Sequence, residues 1–114
     1  YIVIIYIMEK FTSIITTTFP SNPAFVEWET ITKDFFLSDK NIVRFLKENG
    51  MTKWTWSKTD EIEPVRVVIV MEYENKESFE KCQKIFSKYM PNIRNTGMIY
   101  KSNIIRGNVI FDQI

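Results

Sequence analysis

The stretch from Val65 to Tyr89, VRVVIVMEYENKESFEKCQKIFSKY, decides the fold. Its first nine residues are largely β-branched or apolar, and the middle is apolar on both faces, which predicts a strand in the centre of a sheet. Asn75 then offers a helix cap, and Glu77 suits the first helical turn. Pro91 lies just past the predicted end of this helix. Within the helix, apolar residues recur at helical spacing: Phe79, Cys82, Phe86 and Tyr89.

Upstream of this stretch, the sequence predicts a first strand and the start of a first helix. Phe11–Phe19, FTSIITTTF, is rich in β-branched and aromatic residues, and Pro20 ends it. Ser21 can cap the helix, and Pro23 suits its first turn because the missing N–H has no partner there. Phe25, Trp28 and Phe35 then recur at helical spacing.

The first helix is predicted to be broken and to lead into a tryptophan-bearing strand. The interruption is LSDKN, where Ser38 or Asp39 can cap a second helix that Gly50 ends. Residues 51–59 then read as a strand carrying Trp54 and Trp56, whose indoles share one face. These indoles pack in the core under the helices, or in a dimer interface on the opposite face; an incompletely covered indole would form a ligand wall.

Near the C-terminus, residues 93–105 and 108–114 predict one long strand or two short ones, with Gly107 as the bend. The element order is therefore that of a single α+β, ferredoxin-like βαββαβ domain over 1–114, with a four-stranded antiparallel sheet and the helices on one face. Residues 107–114 form a C-terminal extension. Residues 1–8 are an extra N-terminal strand, or the protein starts at Met8 and they are an upstream-translated segment.

The composition narrows the range of functions. Fifteen basic and fourteen acidic side chains give a net charge of +1, which gives no support for a nucleic-acid or membrane partner. The single cysteine favours a reducing, cytoplasmic location. The sequence has no histidine, and its carboxylates follow no metal-binding pattern, so we expect neither a metal nor a cofactor.

Over residues 9–106 the chain resembles the dimeric α/β-barrel superfamily of ferredoxin-like domains. The resemblance rests on the broken helix (Pro23–Asn49), the Gly50 turn into the tryptophan strand, and VIVMEYENKESFEKCQKIFSKY (Val68–Tyr89). It implies a homodimer whose sheets pair face to face, and in many members a small ligand between sheet and helices. Members include cofactor-free antibiotic-biosynthesis monooxygenases, isomerases, haem proteins and stress proteins. The haem proteins and several of the enzymes use a histidine, which this chain lacks.

The RNA-recognition motif shares the same element order and is the alternative with a nucleic-acid partner. Its third strand needs aromatic residues at the positions of Val68 and Val70, where bases would stack, and only Tyr73 fits. We therefore expect no nucleic-acid binding.

The leading functional hypothesis is a small hydrophobic or aromatic molecule held between the sheet and the broken first helix. Trp28, Trp54 and Tyr100 would shape this site. Arg66 could hold a carboxylate, and Glu72 could act as a base. Any enzyme would be a cofactor-independent monooxygenase or isomerase. The alternative is a non-catalytic structural or stress-associated homodimer whose interior is filled by its own side chains.

Overall fold

The computed structural model of the chain describes residues 9–94 and 100–113. The predicted N-terminal strand over residues 1–8 lies outside this part. The strands and helices follow in the order β1 (Phe11–Phe19), α1 (Asn22–Leu37), α2 (Lys40–Glu48), β2 (Met51–Lys58), β3 (Val65–Tyr73), α3 (Lys76–Arg94) and β4 (Lys101–Asn108). The four strands form one antiparallel sheet in the order β2-β3-β1-β4. This is the predicted ferredoxin-like arrangement.

The helix boundaries follow from local capping chemistry. The Ser21 hydroxyl accepts a hydrogen bond from the Ala24 N–H at the start of α1, and the Asp39 carboxylate accepts one from the Asn41 N–H at the start of α2. Gly50 ends the broken helix with φ of +99°. A Cβ at this position would also collide with the Ser78 side chain, so glycine is required by both conformation and space.

Alternation along the strands gives the sheet two different faces. Residues 65, 67, 69, 71 and 73 of β3 are buried under the helices, while Arg66, Val68, Val70 and Glu72 lie on the open face. Trp54 pairs with Met71 and Trp56 with Ile69, which places both indoles on the helix-covered face. The sequence had left the face of these tryptophans open, and the register of β2 against β3 decides it.

Three predictions near the C-terminus are wrong. Pro91 lies inside α3, not past its end. The proline removes one backbone hydrogen bond, but the helix continues through it to Arg94. The last strand begins at Lys101, and residues 93–94 are helical. Gly107 is not a bend, since it pairs with Thr12 within β4, and Val109–Gln113 form no strand.

Cys82 lies where α3 packs against the end of α2. The side chain has no exposed surface, and its thiol contacts the Leu46 carbonyl oxygen at 3.6 Å. Burial raises the pKa of this thiol, opposed by a backbone hydrogen bond from Met51. Cys82 is therefore a packing residue that joins α3 to the end of α2.

Candidate functional site

A cavity of about 320 Å³ lies between the helix-covered face of the sheet and helices α1 and α3. Seven aromatic side chains from α1, β2, α3 and the residue before β4 form most of its wall: Trp28, Phe36, Trp54, Trp56, Phe86, Tyr89 and Tyr100. Smaller side chains form the floor on β1, including Ser13 and Thr17. Large aromatic residues of the helices and of β2 thus surround small residues of β1, and the space between them stays open.

The aromatic wall is held by ring contacts. The ring centroids of Trp28 and Trp56 are 4.9 Å apart, and the Phe36 ring meets Trp54 edge-on at 4.8 Å. Such tilted and edge-to-face pairs are the arrangements that aromatic quadrupoles favour. Because each ring is fixed by its neighbours, the wall has a defined shape with little side-chain freedom.

Trp28, Trp54 and Tyr100 lie where the sequence analysis expected ligand-binding residues. Trp28 is only 4% exposed and is sandwiched between Phe19 and Trp56. All three side chains line the cavity. Their part in ligand binding stays a prediction, but the structure brings them to one place.

Arg66 and Glu72, the two polar candidates, are not brought to the cavity. Both occupy even-numbered positions of β3 and lie on the open face. The Arg66 guanidinium instead approaches the Glu61 carboxylate at 3.7 Å, and Glu72 lies opposite Thr12 and Lys53. The alternation of a strand separates these residues from the tryptophans by the thickness of the sheet.

A buried hydroxyl pair closes one part of the wall. The Thr32 hydroxyl and the Tyr89 hydroxyl share a hydrogen bond of 2.6 Å. Burial raises the pKa of Tyr89 to about 12, and the bond to Thr32 opposes this only in part. The phenol is therefore neutral at physiological pH, where it can donate a hydrogen bond but cannot act as a base.

The β4 end of the cavity carries the polar groups that sequence reasoning missed. Arg106 lies directly opposite Ser13 across the β1–β4 pair, and both line the cavity. The Arg106 guanidinium stands 4.8 Å from the centroid of the Phe79 ring. If the pairing of Thr17 with Ser102 is known, strand alternation places Arg106 on the cavity face of β4. The sequence alone did not provide this register.

In the described part of the chain, no group of histidine, cysteine, aspartate or glutamate side chains could hold a metal ion. Over the same residues, no helix is long and apolar enough to cross a membrane. What the cavity offers is therefore shape, apolar surface and a few polar side chains.

Solved structures of distant sequence share this fold. A dimeric ferredoxin-like protein from an uncultured marine organism matches with a TM-score of 0.77 at 24% identity, over 92% of this chain and 98% of the other. A second such protein, also from an uncultured marine organism, gives 0.73 at 22%, over 92% and 99%. SnoaB, a cofactor-independent oxygenase from Streptomyces nogalater, gives 0.61 at 11%, over 91% and 96%. No protein-family model and no curated protein sequence matches the chain.

Proposed function

We propose that this protein binds a small, flat, largely apolar molecule in the cavity between its sheet and its first helix. One observation carries the proposal: about 320 Å³ of space is lined by seven aromatic side chains, most of which contact one another. This volume is at the lower end of the range of small-molecule sites, which begins at roughly 300 Å³. A bicyclic or tricyclic aromatic molecule is of this size.

The ring contacts also argue against an interior filled by its own side chains, which a purely structural dimer would require. Closing the space would require the indoles of Trp28 and Trp56 to leave their mutual contact. Packed rings of this kind stabilise each other by about 1 kcal/mol per pair, and this contact opposes such a rearrangement.

The test is titration with the uncharged fluorescent dye N-phenyl-1-naphthylamine. We expect saturable binding that is lost in Ile104→Phe, because Ile104 lines the cavity and the larger ring would fill it. Val26→Phe is the matched control, since Val26 is exposed and does not line the cavity. Equal binding by the two variants would reject the cavity as the dye's site, and no binding by the wild-type chain would reject the proposal.

The protein acts as a homodimer paired through the open face of the sheet. That face carries half-buried Val68 and Val70 and the exposed side chains of Ile14 and Ile105, an apolar surface of the kind that marks an interaction site. The two marine neighbours are described as dimeric, which supports a dimer. Sedimentation of the purified chain tests it, and a monomer at micromolar concentration would reject it.

Cofactor-independent oxidation is a second candidate, supported by the match to SnoaB over nearly the whole chain. In this reaction an activated CH₂ group and O₂ give a ketone and water, so one oxygen atom enters the substrate. The chain has no histidine and the cavity lining has no carboxylate, so the substrate must be acidic enough to lose its own proton. Oxygen uptake with 2-tetralone, compared with the Ile104→Phe variant, tests this. Uptake no faster than in buffer would reject this oxidation for that substrate class.

A cytoplasmic location fits the single cysteine, whose thiol is buried and free. With a single cysteine the chain forms no internal disulfide, so its core forms without an oxidising compartment.

A further inference from the structure

Over the part of the chain that the structure describes, the lining of the cavity carries a positive charge and no negative one. Arg106 is the one charged side chain among its lining residues. In residues 9–94 and 100–113, its guanidinium forms no ion pair and no hydrogen bond; its recorded contact is with the face of the Phe79 ring. A ring face attracts a cation but leaves the N–H donors of the guanidinium unused.

A second polar group without a hydrogen-bond partner belongs to the residue paired with Arg106 on the neighbouring strand. Ser13 has no exposed surface, and its hydroxyl oxygen makes no hydrogen bond within the described chain. It lines the same cavity and is the cross-strand partner of Arg106. A buried hydroxyl without a partner costs about 1–3 kcal/mol, and a ligand atom seated against it would remove that cost.

We infer that the β4 end of the cavity is an oxyanion subsite, in which Arg106 and Ser13 hold a negatively charged oxygen of the ligand while the aromatic wall holds its flat body. This rests on the proposed function, since it names the class of molecule that the cavity takes. The class is an aromatic acid: an aromatic carboxylate, or a phenol or enol bound as its anion. The planar guanidinium suits either, because it can direct two N–H groups at one or two oxygens.

The position of Arg106 supports this assignment. The residue is exposed on an edge strand, so its charge remains solvated when the cavity is empty. When a ligand enters with its acidic group last, the guanidinium can fold over that group and close the site. Entry then requires no buried, unpaired charge, which would be costly.

The experiment compares two dyes of nearly the same shape, neutral N-phenyl-1-naphthylamine and anionic 8-anilino-1-naphthalenesulfonate. Arg106→Gln should weaken binding of the anionic dye about tenfold or more, as expected for a lost charged hydrogen bond, and change that of the neutral dye less than about twofold. Ser13→Ala should weaken the anionic dye in the same selective way. Arg44→Gln is the matched control, because Arg44 is exposed on α2 and does not line this cavity.

Each outcome separates this inference from the proposed function. If the neutral dye fails to bind the wild-type chain, the proposed function fails. If the neutral dye binds and Arg106→Gln weakens both dyes equally, or neither, the subsite alone is overturned.

Two simpler probes at neutral pH then identify the source of the oxygen. Tighter binding of 2-naphthoate, lost in Arg106→Gln, assigns a carboxylate. Tighter binding of 2-naphthol, also lost in Arg106→Gln and increasing with pH, assigns a phenolate. Equal affinity for both, unchanged by Arg106→Gln, overturns the subsite.

Discussion

The two faces of the sheet differ in how their side chains fill space. The helix-covered face carries large rigid rings, among them Phe19, Trp54 and Trp56, which meet at tilted and edge-on angles and leave a cavity. The open face carries β-branched residues such as Thr16 and Val70 in its middle, with the charged residues Arg66 and Glu72 near the two ends of β3. Rings of fixed shape create a hollow when small residues lie opposite them, whereas short side chains in the middle of a sheet face suit packing against a second sheet.

The largest expected effect is on the ring cluster of the helix-covered face. Phe36 is 2% exposed, and its ring contacts those of Trp54, Phe86 and Tyr89. Phe36→Ala should lower the free energy of unfolding by about 3–5 kcal/mol, through lost burial and an enlarged cavity. Urea unfolding measures this, with Phe111→Ala on the exposed C-terminal segment as control. A loss below about 1 kcal/mol would mean that the rings are not packed as described.

On the open face, the corresponding change should act on assembly and leave the fold intact. Val70→Asp puts a charge into the proposed sheet–sheet interface in both copies, and should raise the dimer dissociation constant about 100-fold or more, roughly 2.7 kcal/mol. Sedimentation should show folded monomers. Val26→Asp is the control, since Val26 is exposed on α1. A dimer that survives Val70→Asp unchanged would place the interface elsewhere.

Alkaline pH should act through the helix-covered face, because its phenols are buried. Burial raises the pKa of Tyr89 to about 12 and also raises that of Tyr73. Above pH 10 the unfolded chain loses these protons first, so stability falls as pH rises, by about 1.4 kcal/mol per pH unit for each tyrosine that keeps its proton when folded. In urea unfolding at pH 9 to 11, Tyr89→Phe should show a shallower decline. Parallel declines for the two proteins would contradict the burial of Tyr89.

The smallest expected effect is a gain in stability. Ser13→Ala removes a buried hydroxyl without a partner and should raise the free energy of unfolding by about 1 kcal/mol. Thr17 lies four residues further along the same face of β1, and its hydroxyl shares a 3.1 Å hydrogen bond with Ser102. Thr17→Ala should therefore lower the free energy of unfolding by a similar amount. If both substitutions destabilise equally, Ser13 has a partner that the structure does not reveal.

Much of the fold could be predicted from the sequence, because local chemistry and burial agreed. The nine residues of β3 are apolar on both sides in the middle, and β3 is indeed an interior strand. The caps at Ser21, Asp39 and Asn75 and the turn at Gly50 act within a few residues of themselves. Such signals are complete in the sequence because their partners are neighbours along the chain.

The errors fall where the deciding partner is distant. β4 is an edge strand whose limits are set by pairing with Phe11–Thr18, almost ninety residues earlier, so its own pattern did not reveal its start or the face of Arg106. Arg66 and Glu72 do not line the cavity, because the cavity lies on the face of β3 that the distant helices cover. The sequence analysis named three of the seven aromatic residues that line the cavity, Trp28, Trp54 and Tyr100. It could not predict the open space, because that space depends on the angles between rings that come from α1, β2, α3 and the residue before β4.

The reaction of Cys82 with a thiol reagent can measure how often α3 detaches from the rest of the fold. It is the one cysteine in the sequence, and its thiol is sealed between α3 and the end of α2, so a thiol reagent can label the chain only after α3 has moved away. The labelling rate under native conditions therefore counts how often that helix detaches. A molecule held between the sheet, α1 and α3 would slow the reaction by the factor with which it favours the closed form. Candidate ligands could thus be ranked by the lifetime of a free thiol, before any of their own chemistry is known.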